Sequence, residues 1–217
     1  MQKVLKYDFT PGVLGAIASF LLIVSFFLPR IFPGNKGIEA INTVLIVAIM
    51  CMCVHLIRRT AAIYHRHVWN SAALVILLLI PAFNLVVTAV QFVSVNLTFM
   101  TSLPFTAVLI VFSLPAFFCY YFIYVARKFN NDIRIKIIAA VMTCAAAIYA
   151  AMRFSDKIFI PLAVENGVSI PRLVSLIAPK SSSMSLVMYI LSACCFIAFG
   201  VVSYEKIKYG EKDREKE

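Results

Sequence analysis

Residues 67–126 read HVWNSAALVILLLIPAFNLVVTAVQFVSVNLTFMTSLPFTAVLIVFSLPAFFCYYFIYVA, a run of 60 positions without Asp, Glu, Lys or Arg. A helix needs roughly 20 apolar residues to cross about 30 Å of hydrocarbon. The run therefore holds two crossings and a turn. The turn falls at Asn96–Pro104 (NLTFMTSLP), its only polar, turn-like interruption. Helices and closed barrels are the two spanning solutions. A barrel strand alternates in polarity over about ten residues, whereas ALVILLLI (Ala73–Ile80) is continuously apolar.

Working outward, charge-free runs cover 9–29, 40–57, 137–152 and 181–204. The third of these is short, but Lys136 and Arg153 flank it and can snorkel to the two interfaces. The expectation is an all-α polytopic membrane bundle of six transmembrane helices, about 11–30, 40–58, 70–94, 104–126, 134–153 and 184–204. It forms one transmembrane domain, with a short charged tail over 205–217. The first run is long enough to remain as a span rather than serve as a cleaved signal.

Composition agrees. Of 217 residues, 62 % are hydrophobic and 14 % charged, against about 45–50 % and about 25 % for soluble domains. That excludes an ordinary cytosolic enzyme, a disordered chain and a small secreted domain. The loops and ends on one side carry 14 Lys and Arg, those on the other 6. This bias places both termini in the cytoplasm, and the expected location is a bacterial cytoplasmic membrane. The net charge of +10 reads as orientation and attraction to anionic headgroups. Nucleic-acid binding lacks a soluble domain to carry it. All six cysteines fall within spans, none in an outer loop where a disulfide could form. Apolar packing accounts for them.

Two prolines stand out. Pro81 and Pro115 each lie 11 residues from the inner ends of spans three and four, about 16 Å deep at 1.5 Å per residue. Asn84, about one turn from Pro81, is the most polar side chain near the midplane. Proline frees a helix carbonyl that then needs a donor, which Asn84 can supply. Pro81, Asn84 and Pro115 are thus candidates for a hinge or a substrate pathway, or for a self-satisfied kink in a packed bundle.

The inner segment RRTAAIYHRHVWN (Arg58–Asn70) clusters Arg58, Arg59, His65 and Arg66. It suits an interfacial basic-aromatic anchor or a docking surface for a cytoplasmic partner. His65 and His67 are two apart and point to different helix faces, so no metal site is expected. The alanine-rich fifth span, IIAAVMTCAAAIYAAM (Ile137–Met152), lets other helices approach closely, either centrally or at an oligomer contact. Asn131 and Asp132 are candidate caps before it. In the outer connection of Ser155–Ser183, Ile170, Leu173, Val174 and Ile177 fall on one face of a short helix. That helix lies on the outer interface. The preceding IFIPLAV (Ile158–Val164) re-enters the membrane edge or caps the bundle.

Catalytic signals are lacking. No acidic or basic side chain lies in the central part of a span, and no nucleophile elbow, zinc-protease or phosphate-loop motif occurs. A proton-coupled transporter usually carries an intramembrane carboxylate. Neither an enzyme, a cofactor nor self-powered transport is expected.

The string Leu5-Lys6-Tyr7-Asp8-Phe9, six spans with both ends inside, and short hydrophobic outer helices before the last span resemble the membrane subunits of ABC-2-type exporters. The resemblance implies a permease subunit, working as a homodimer with a separate cytoplasmic ATPase that docks near Arg58–Trp69. The 2–3 segment here is shorter than the coupling segment of many such subunits. A non-catalytic partner-binding, immunity or assembly protein is the alternative expectation, and a small oligomeric channel a further one.

Overall fold

The computed structural model describes residues 8–63, 68–92, 103–128, 132–169 and 181–214. Among these residues every regular element is helical. The helices are α1 (Thr10–Ile31), α2 (Lys36–Ile63), a 3₁₀ turn (Val68–Asn70), α3 (Ala72–Phe92), α4 (Leu103–Val111), α5 (Leu114–Lys128), α6 (Ile133–Phe154), a π turn (Ser155–Phe159), α7 (Ile160–Glu165) and α8 (Ser181–Arg214). Five helices are long and apolar enough to cross a membrane. The α4–α5 pair also passes together but is bent by 46°. The outward faces suit lipid: Phe20, Val44, Val86 and Ile197 are more than half exposed. Soluble monomers rarely leave such apolar surface uncovered. This is the build of an integral membrane helix bundle.

The centre is aromatic. Phe117, Phe118, Tyr121 and Phe122 of α5 are essentially inaccessible and interlock with Phe196 of α8. The Phe122 and Phe196 ring centroids are 4.6 Å apart, Phe118 and Phe196 5.3 Å. Offset and edge-on rings at this spacing add to the apolar burial. Helix α1 closes the cluster from the far side. A Cβ on Gly15 would stand 2.1 Å from the Phe196 ring, and one on Gly12 2.5 Å from the Gly200 Cα. Glycine is required where backbones meet this closely. Buried hydroxyls are tied locally: Thr60 Oγ1 donates to the Leu56 carbonyl at 2.8 Å and meets the Tyr121 hydroxyl at 3.0 Å.

One end of the bundle is polar and pinned. Asp8 accepts from the Thr10 N–H at 2.9 Å, starting α1, and pairs with Arg59 near the end of α2 at 3.7 Å. Asp132 accepts from the Arg134 N–H at 3.1 Å, capping α6. Arg134 then reaches Glu205 of α8 at 2.7 Å, and Lys206 lies 4.0 Å from Asp132. Phe9 and Tyr204 meet edge to face. The start of α1 and the polar stretch of α8 therefore share this end.

Two elements depart from the expected spans. The crossing expected over 104–126 is broken at Phe112–Ser113, two residues before Pro115. The helix expected to stop at 153 runs on through the π turn to Glu165. Proline chemistry explains both. Pro115 cannot donate to the Val111 carbonyl, and Ser113 restarts the helix by accepting from the Ala116 N–H at 3.4 Å. In the second case the Ile160 N–H donates five residues back, to Ser155. The widened turn absorbs the donor missing at Pro161, and Ile158–Val164, expected to re-enter the membrane edge or cap the bundle, is helical.

Candidate functional site

The helix break and the widened turn face one another. A cleft of about 360 Å³ opens between α3, the α4–α5 break, the end of α6 with its π turn, and the start of α8. Its floor is Asn84, Ser113 and Pro115; its rim is Arg153, Lys157 and Ser185. Counting from Ala72, Asn84 is about 18 Å along α3, near mid-bundle. Counting from Ile133, Arg153 is about 30 Å along α6, at the end opposite the pinned one.

Asn84 builds the floor. Its Nδ2 donates to Phe112 O at 2.6 Å and to Ile80 O at 2.8 Å. Phe112 follows the last residue of α4, and the Ala116 N–H that a continuous helix would bring to its carbonyl goes to Ser113 Oγ instead. An unpaired carbonyl is expensive in an apolar interior. The Asn84 amide supplies the donor and fastens α3 to the bend. α3 itself continues through Pro81 as one helix. Thr88 Oγ1 donates to the Asn84 carbonyl at 2.8 Å, continuing a polar line along α3.

The rim is cationic. Arg153 lies over the Tyr149 ring at 6.0 Å and makes no ion pair among the described residues. Lys157 Nζ lies 3.4 Å from Asp156. Tyr149 and Ser185 are buried beside them. Leu109, Ile110 and Leu114 give the cleft an apolar wall. Such a mixture of apolar wall and few convergent polar groups is typical of small-molecule sites.

The structure thus gathers Asn84 and Pro115 into one cleft, while Pro81 lies on α3 outside its lining. Arg153, Lys157 and Ser185 were not among the expected site residues. In the sequence Arg153 is a snorkelling flank, and its one further signal is a second cation, Lys157, four residues on along the sparsely charged side. At the pinned end, Arg58 is exposed and Arg59 is engaged by Asp8. His65 and Arg66 lie outside the described residues, as do Ile170, Leu173, Val174 and Ile177 of the expected outer helix. No group of metal-binding side chains occurs among the described residues. The free cysteines divide between buried Cys53, Cys119 and Cys195 and outward-facing Cys51, Cys144 and Cys194. Compared with known proteins, the chain matches no family model, no curated protein and no solved structure.

Proposed function

We propose that the protein is a membrane-spanning permease subunit, laid out like those of ABC-2-type exporters and driven by a separate cytoplasmic ATPase. The observation that carries this reading is the cleft. It leads from a polar floor at mid-bundle to a cationic rim at one end, along a helix pair already bent by 46°. A broken helix at membrane depth is tolerated where it lines a cavity or is buried in protein. In this reading the bent pair counts as one crossing, giving six. The pinned end, richer in Lys and Arg, faces the cytoplasm, and Arg58 offers the ATPase an exposed contact. No residue is catalytic.

The protein works as a dimer in this reading. Ala140, Cys144, Ala147 and Ala151 form an exposed stripe on α6, and small residues let a second helix approach closely. The same stripe favours a second reading, in which another membrane protein takes that place and the chain is an assembly or immunity factor.

Affinity purification in mild detergent decides between them. The permease reading expects a co-purifying nucleotide-hydrolysing subunit whose ATP turnover changes when this chain is removed. Recovery of a different membrane or secreted protein without ATPase activity overturns that reading in favour of the second.

A further inference from the structure

The geometry points to an amphipathic anion, a phosphate or carboxylate head on an apolar body, as the ligand of the cleft between α3, α5, α6 and α8. The inference rests on the permease reading for the ligand's fate, and on the cleft alone for its chemistry.

The charged side chains lining the cleft are Arg153 and Lys157, and no carboxylate lines it among the described residues. Asp156 neutralises part of Lys157 from beside the cleft at 3.4 Å, but Arg153 lies over the Tyr149 ring and makes no ion pair among the described residues. Both cations stand at the end of the bundle opposite the pinned one, on the side that the Lys and Arg bias leaves poor in positive charge. Orienting the protein does not require them there. A guanidinium held beside buried Tyr149 and Ser185, in surroundings drier than water, binds an anionic oxygen more strongly than a solvated one would.

The rest of the cleft selects a body rather than a bare ion. Leu109, Ile110 and Leu114 line the way down from the rim toward Pro115. Hydroxyls come from Ser113 and Tyr189, while the Asn84 amide is already committed to two carbonyls. The head therefore sits at Arg153 and Lys157, and the apolar portion lies along the α4–α5 bend.

Dodecyl phosphate is the probe, added to the full-length protein in a neutral detergent and followed by its shift of the thermal unfolding midpoint. The expected result is saturable stabilisation, weakened at least about tenfold in apparent affinity by R153Q with K157Q, the scale of lost charge-assisted contacts. R127Q with K128Q, at the opposite end of the bundle, leaves it unchanged. Equal stabilisation by dodecyltrimethylammonium, or by inorganic phosphate alone, overturns the proposal, as does binding indifferent to R153Q with K157Q. If the double variant does not fold, K157Q alone carries the comparison, because that side chain is 53 % exposed.

A membrane lipid and a soluble acylated anion share this chemistry. Nanodiscs separate them: phosphatidylglycerol competes with dodecyl phosphate if the occupant is a lipid, and does not if it is soluble. Selective binding without transport by the partnered complex would remove the permease reading and leave the site. Transport without charge selectivity would do the reverse.

Discussion

The side-chain amide of Asn84 donates to the main-chain carbonyl of Phe112 at 2.6 Å, joining α3 to the carbonyl exposed where α4 breaks. The bond spans 28 residues of sequence and holds the bend from outside. Asn84→Leu keeps the apolar bulk and removes the donor, leaving Phe112 unpaired. The expected loss is about 1–3 kcal/mol, read as a lower unfolding midpoint in detergent. Thr88→Val, one turn away, removes only a bond within α3 and costs less. An unchanged midpoint for Asn84→Leu would mean that the bend has another donor.

The contact between α1 and α8 predicts an asymmetry between two glycines. A Cβ on Gly12 would press on the backbone of Gly200 at 2.5 Å, so the helices themselves must part. A Cβ on Gly200 would meet Gly12 at 3.7 Å, an ordinary contact. Gly12→Ala is expected to cost about 1–3 kcal/mol, as overpacking does, and Gly200→Ala to stay within about 0.5 kcal/mol. Equal effects on thermal unfolding would contradict this packing.

Arg58 and Arg59 are adjacent but not equivalent. Arg58→Glu alters an exposed charge with no partner among the described ion pairs. On the permease reading it reduces ATP-driven transport about tenfold, the scale of one lost charge-assisted contact, with the unfolding midpoint unchanged. Arg59→Glu sets a carboxylate against Asp8, now 3.7 Å from the guanidinium, and mixes a fold effect into the readout. Normal transport by Arg58→Glu would sink the docking role.

The α6 stripe carries its own reporter. Cys144 is exposed in the middle of it, so a symmetric dimer across this face brings two thiols together. Mild copper-phenanthroline oxidation in native membranes should give a band at twice the chain's mass. Cys144→Ser should abolish the band, while Cys51→Ser and Cys194→Ser retain it. A band that persists in Cys144→Ser would place the contact elsewhere.

Much of the architecture was legible because long apolar runs admit few alternatives. Of the two candidate caps, Asn131 and Asp132, the structure shows Asp132 in that place; Asn84 is a donor, but to the carbonyls of Ile80 and Phe112 rather than to those of Leu77 and Val111 that lose a donor at Pro81 and Pro115. What could not be read is where a proline's cost is absorbed. At Pro81 the helix continues. At Pro115 the break moves back to Ser113, because a serine there can restart the ladder. At Pro161 the helix widens by one residue instead of ending, which carries α6 beyond its expected limit. These outcomes depend on which neighbouring donors the fold supplies, and a single chain of letters does not state its neighbours. The role of Arg153 is illegible for the same reason. A flanking cation and a cleft-lining cation have identical local sequence, and only the packing of α8 against α6 separates them.

Among the described residues, the ion pairs between α6 and α8, Arg134 on Glu205 and Lys206 near Asp132, all lie at one end. Arg153 and Ser185 lie at the far ends of the same two helices. A pivot at this ion-pair clasp would make the stretch of α6 from Ile133 to Arg153 a lever arm of about 30 Å. A rotation of about 5° at that pivot displaces Arg153 by about 2.6 Å over that arm, as far as a hydrogen bond is long. On the proposed reading, grip on an anion beside Arg153 would then be geared to side chains at the opposite end of the bundle, beside exposed Arg58.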